Sequence, residues 1–236
     1  MDKLESAEND PSAVGVLLDV NSPGGLVVPS QEIYDGVKSL RAKKPVVVYV
    51  RNMAASGAYY SSASATKIIA NRGSLIGSIG VIMESFDVAK LVEFLKVNPI
   101  VLKTGALKDA GSPMRPMGEE DKKYLQNLIE GTRAEFVADV KSGRGVSEET
   151  LKLMSDGRVV LAPQALELKL IDAMGSKNMA LSEIGKLAHE KSTPELFYYE
   201  NTVSLSDLLS QKISGQVTGL LQKTSAQILN PSPSMK

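Results

Sequence analysis

There is no cysteine in these 236 residues, and only one histidine. The first absence removes disulfides, thiolate catalysis and cysteine-ligated metals together. The second makes a His-rich metal site or a Ser-His-Asp triad a poor fit, so a hydrolase built on this chain needs a base other than histidine. The lone histidine, His189, lies in a charged helical stretch (Lys186-Leu187-Ala188-His189-Glu190) and reads as a surface residue. Neither charge is in excess, with Lys+Arg and Asp+Glu at 27 each, so nothing suggests nucleic acid as a partner. No apolar run approaches the roughly eighteen residues of a membrane span and no signal peptide is present, so the chain as given reads as soluble.

What is there is globular: 43% hydrophobic and 23% charged residues, enough for one good core and at most two small domains. Ala13 to Val20 is a continuous apolar run, the mark of a buried strand, broken by Asn21-Ser22-Pro23-Gly24-Gly25. Ser30 can cap a helix with Ile33, Val37 and Leu40 on one face, ending at the basic Arg41-Ala42-Lys43-Lys44. Val46 to Val50 is a second buried strand. Lys67–Ala70, Ser78–Met83 and Pro99–Leu102 read as further strands, and Val88, Leu91, Val92 and Leu95 as a helical stripe. Leu125, Leu128, Ile129, Thr132, Phe136, Val137 and Val140 line one face of a long helix ending near Gly143, and Ser147 starts another helix. A short strand over Arg158–Leu161 precedes a helix opened by Pro163. Alternating buried strands and amphipathic helices predict an α/β protein with parallel pairing. Residues 1–200 make the main domain. In 201–236, Leu205 to Leu221 form an amphipathic helix suited to a partner subunit, a membrane surface or the domain itself, followed by a frayed tail.

Two loops can carry chemistry. Asn21–Gly25 follows a strand, where open α/β sheets place their sites, and its paired glycines can turn a backbone N–H outward as an oxyanion hole requires. An ordinary tight turn needs the same residues. In Met53-Ala54-Ala55-Ser56-Gly57, a serine stands between a strand and a helix start; it is either a helix cap or a nucleophile. It is not the hydrolase elbow G-x-S-x-G, because residue 54 is alanine. With histidine scarce, the base for such a serine would be a lysine. Bringing a lysine from about 10.4 to about 7–8 costs roughly 3–5 kcal/mol and needs burial. The glycine-rich stretch Leu102–Pro113 offers Lys103 and Lys108, and spacing does not choose between them.

Taken together, N-S-P-G-G, M-A-A-S-G-x-Y-Y, G-S-I-G-V-I-M, G-x-x-K-D-x-G-S-P, D-G-R-V and Q-A-L-E-L-K-L-I-D, in this order from about Leu4 to Gly175, closely resemble the bacterial signal peptide peptidases. These are serine–lysine proteases of the ClpP/crotonase-like superfamily. The resemblance implies a repeated ββα spiral with parallel sheets, here without the usual first strand–helix unit. It implies Ser56 as nucleophile, Lys108 as general base, Gly25 and the Ser56 amide as oxyanion donors, and Ser78 as the residue that orients the lysine. No metal or cofactor is implied. The expected substrates are signal peptide remnants and other hydrophobic, unfolded peptides, cleaved through an acyl-enzyme. Family members assemble into rings or domes, in some of which serine and lysine come from neighbouring protomers. They sit at the bacterial cell membrane, catalytic domain outward, through an anchor segment not present in this chain. Ala58, where a second glycine is common, is expected to narrow the site. A phage capsid-maturation or membrane-protein-degrading protease, an inactive scaffold, and a crotonase-type acyl-CoA enzyme are the competing readings.

Overall fold

The computed structural model describes residues 2–199, and the expected helix over Leu205–Leu221 lies outside them. After a short helix α1 (Asp2–Asn9), strand β1 (Val16–Ser22) leads through the glycine loop into helix α2 (Val27–Arg41). Strand β2 (Val46–Ala55), helix α3 (Gly57–Ala63) and strands β3 (Lys67–Ala70) and β4 (Leu75–Gly77) follow. A long excursion carries the short helix α4 (Ala89–Phe94) and a 3₁₀ turn at Ala106–Asp109 before the long helix α5 (Glu119–Arg144). Helix α6 (Glu148–Met154), strand β5 (Val159–Leu161), helix α7 (Ala162–Glu167), strand β6 (Ala173–Met174) and helix α8 (Lys177–Leu187) complete the described chain.

The six strands form one sheet centred on β2. Strand β1 runs parallel along one edge of β2, while β3 and then β4 share the other edge, also parallel. Only β5 runs antiparallel, against β4, so the sheet is mixed at that end. The continuous valine run of β2 follows from burial on both faces. Val46, Val48 and Val50 join Tyr34, Leu40, Tyr60 and Phe136 in one core, while Val47 and Tyr49 join Ile69, Ala180 and Ile184 in the other. Helices α2, α3 and α5 thus cover one side and α8 the other.

Three local expectations are corrected. Ser30 does not cap α2; it lies inside the first turn, buried, with its hydroxyl donating to the Leu26 carbonyl at 2.8 Å. The strand expected over Ser78–Met83 ends at Gly77, and Pro99–Leu102 forms no strand. In that excursion Ile82, Phe86, Phe94, Ile100 and Leu102 are each more than 80% exposed. Their sequence is apolar enough for a strand, but they pair with no strand among the described residues. The long helix is as expected, from Glu119 to Arg144, closed by Gly145 in the left-handed conformation.

Candidate active site

The site is assembled where β1, β2 and β4 end together. The register of β1 on β2 slips after Val20, so that Ser22 lies opposite Ala54 rather than Asn52. That slip runs the loop Pro23-Gly24-Gly25 alongside Ala55-Ser56-Gly57. Gly24, at φ +117°, is pressed so close that a Cβ there would stand 2.9 Å from the Ala55 carbonyl, the Gly57 nitrogen and the Ser56 Cβ. On the other side Gly77 pairs with Ala55, and Ser78 follows it.

Ser56 joins β2 to α3 with φ 51° and ψ −125°, outside the regions open to residues with a Cβ. Such conformations cost about 1–3 kcal/mol and persist only where the surroundings enforce them. Although Ser56 occupies the N-cap position, its side chain caps nothing. The capping explanation of this serine therefore fails. Ser78 is also at positive φ, 52°, held by its N–H donating to the Arg158 carbonyl at 2.8 Å. Two of the five non-glycine residues at positive φ among the described residues thus stand in one cleft.

That cleft, of about 1020 Å³, is lined by Gly25, Ser56 and Ser78, by Val81 to Glu84, by Gln126, Ile129, Glu130 and Arg133 of α5, and by Ser155 to Gly157. Two of its carboxylates are ion-paired: Arg158 holds the Asp156 carboxyl down to about 2, and Glu130 lies 3.5 Å from Arg133. Behind Ser56 a small recess of about 20 Å³ is walled by Val27, Tyr60, Val81, Thr132 and Phe136. The Tyr60 ring stacks on Phe136 at 4.4 Å, and its hydroxyl donates to Asp139. Burial first, and then that carboxylate, push the Tyr60 phenol up, so it serves as wall rather than acid or base.

The amide expectation needs correction. The Ser56 N–H is committed to the Gly77 carbonyl at 2.8 Å and is not available to an oxyanion. The free amide is one residue on. Gly57 opens α3, where the first N–H groups have no intrahelical partner, and neither its N–H nor that of Gly25 bonds to any described residue. The two lie side by side: a Cβ on Gly57 would be 3.2 Å from the Gly25 nitrogen and 2.3 Å from Ser30 Oγ. Sequence reasoning missed Gly57 although the signal was present, since a residue opening a helix always carries an unpaired amide.

Lys108 is not brought to Ser56 within the chain. It stands exposed on the 3₁₀ turn, forms no ion pair among the described residues, and is absent from the walls of the Ser56 cleft. Lys103 is spoken for, its ammonium bonding to Asp109 at 2.7 Å and to the Ala106 carbonyl at 3.0 Å. Ala58 does not line the cleft, so its methyl does not narrow it. His189 is exposed, in the turn that ends α8. No cluster of metal-ligating side chains occurs among the described residues, and none of their helices is long and apolar enough to cross a membrane.

Comparison with known proteins matches residues 38–191 to peptidase family S49. A protein of Methanocaldococcus jannaschii named as a "putative protease" is 42% identical over 83% of this chain and 63% of its own length. The "putative signal peptide peptidase SppA" of Enterococcus faecium is 34% identical over 97% of this chain and 67% of its own. "Protease 4" of Salmonella typhi is 30% identical over 98% of this chain, which spans only 37% of that protein. The matched region contains both Ser56 and the glycine-rich loop of Lys108, and the α/β sheet accords with it. The chain belongs to peptidase family S49.

Proposed function

We propose that the chain is a serine endopeptidase in which Ser56 is the nucleophile and Lys108 the general base. The observation that carries this reading is Ser56 itself: a non-glycine residue in a costly conformation, its hydroxyl uncapped, beside the unpaired amides of Gly25 and Gly57. Neutral Lys108 takes the Ser56 proton, and Ser56 Oγ attacks the scissile carbonyl. The Gly25 and Gly57 N–H groups receive the oxyanion; such a donor is worth about 10²–10³ in rate. The amine of the leaving strand is protonated by the lysine, and water, again activated by it, releases the acyl group. Ser78, held in the cleft by its backbone bond to Arg158, is the residue we assign to accept from the lysine ammonium of the neighbouring copy.

Because Lys108 stands outside the Ser56 cleft of its own chain, we assign the pair to two copies: Lys108 of one protomer completes the site of its neighbour. The exposed apolar residues of the 82–102 excursion are the surface on which such copies would associate. The substrates are hydrophobic, unfolded peptides, signal peptide remnants among them, as the name of the Enterococcus relative suggests; an extended peptide can pair with strand edges at the cleft. The setting proposed is the outer side of a bacterial cell membrane.

The test is intact-mass detection of a fluorophosphonate adduct from about pH 6 to about 10, a range that brackets a depressed and an ordinary lysine. Wild type should label with a midpoint well below 10, and Ser56→Ala and Lys108→Ala should not label. An adduct that forms equally in Ser56→Ala would remove Ser56 from the mechanism.

A further inference from the structure

The Lys108 ammonium bonds to none of the described residues, and only its backbone N–H is held, by the Gly105 carbonyl at 3.2 Å; the turn that carries it is tied down through its neighbour. The Asp109 carboxylate accepts from Lys103 Nζ at 2.7 Å and, in bidentate fashion, from Arg115 Nε at 3.0 Å and Nη2 at 2.9 Å. Arg115 turns the other side of its guanidinium to Asp121, with Nη1 on one carboxylate oxygen and Nη2 on the other. Asp121, only 8% exposed at its side chain, in turn accepts the Gly118 N–H at 3.0 Å and so closes the first turn of α5. One planar cation therefore forks onto the lysine turn and onto the long helix at once. An arginine can do this and a lysine cannot. The far end of α5 is buried through Phe136 and Val140 against Tyr60 of α3, the helix that begins at Gly57.

We propose that Arg115 is a positioning residue for the peptidase reaction, clamping the turn that bears Lys108 to the first turn of α5 and neutralising the carboxylate that stands next to that lysine. The proposal rests on the reading of Lys108 as the general base. It has two separable consequences. The geometric one is that the lysine projects from a fixed point at the end of a rigid strut rather than from a free loop. The electrostatic one is that Asp109, adjacent in sequence, would by itself favour the ammonium form of Lys108, which is the wrong form for a base. Two cations offset it. The charged groups that line the cavity beside Ala110 and Gly111 add no net charge: Glu119 and Lys122 pair with each other, and Glu84 and Lys123 are of opposite sign.

The clamp does not itself titrate in the working range. Hydrogen bonds from Arg115 hold the carboxyls of Asp109 and Asp121 below the usual carboxylate range, aided by Lys103 at Asp109 and by the Gly118 N–H at Asp121. Depressed carboxyls keep their pairing above the ordinary value near 4 and lose it only as pH falls further.

The experiment is the fluorophosphonate labelling rate of the full chain from about pH 6 to about 10 for Arg115→Met, Arg115→Lys and the double variant Asp109→Asn/Arg115→Met. Arg115→Met should lower the plateau rate at least tenfold and raise the pH midpoint. The double variant should return the midpoint to that of wild type while the plateau stays low. Arg115→Lys keeps a charge without the fork and should lose plateau rate with an unshifted midpoint; it carries the test if Arg115→Met fails to fold. A wild-type plateau in Arg115→Lys, or a loss in Arg115→Met with no movement of the midpoint, would overturn the proposal. If Lys108→Ala labels like wild type, the Ser56–Lys108 reading itself falls and this inference with it. A silent Lys108→Ala beside an unaffected Arg115→Met sinks the clamp alone.

Discussion

Gly24 and Gly57 are glycines for different reasons, and both reasons concern Ser56. At Gly24 the backbone is left-handed and a side chain would strike the serine's own Cβ; at Gly57 a methyl would strike Ser30 Oγ, which is fixed by its bond to Leu26. We therefore expect Gly24→Ala and Gly57→Ala each to reduce kcat/KM by about 10²-fold or more, the scale of a displaced oxyanion donor. Far-UV circular dichroism should stay that of wild type, and kcat/KM on a fluorogenic peptide is the measurement. The stretch Met53–Gly57 is legible from sequence as either cap or nucleophile. What residue types cannot encode is the backbone angle and the absent cap bond that decide between them. The misplaced oxyanion donor has the same origin: the Ser56 amide is consumed by a ladder bond to Gly77, a partner 21 residues away that appears only once β4 is in register.

At the scale of elements, β1, β2, α2 and α5 were readable because each buries its apolar period within the chain. In the excursion the helical stripe is found as α4, but the strands expected over Ser78–Met83 and Pro99–Leu102 are not, because apolar residues signal burial without saying against what. The core behind the site admits ordinary tests. Ile68 on β3 is fully buried, and Ile68→Ala should cost about 2–5 kcal/mol in urea unfolding. The C-terminal end of α5 is tied by Arg144, whose side chain is 6% exposed, to Asp172, which also accepts the Ile68 N–H at 2.7 Å. Asp172→Ala strands a buried guanidinium and should cost about 3 kcal/mol, the lower end for a broken buried pair because Asp172 is partly exposed. Asp172→Asn, which keeps an acceptor for the backbone, should cost less. Equal losses in the two variants would assign the effect to packing instead.

For the whole molecule, the proposed pairing of Lys108 of one copy with Ser56 of another would make activity a property of an assembly. Specific activity should then fall on dilution, and light scattering should show the loss of assembled species over the same concentrations. The residue pair was legible by resemblance. The resemblance leaves open whether the pair lies in one copy or across two, because spacing along one chain is silent about which copy a side chain serves. The most direct measurement mixes Ser56→Ala, which keeps Lys108, with Lys108→Ala, which keeps Ser56, and follows fluorophosphonate adducts by intact mass. The account predicts no adduct on either variant alone and an adduct on the Lys108→Ala chain once they are mixed. Labelling of Lys108→Ala by itself at the wild-type rate would contradict it.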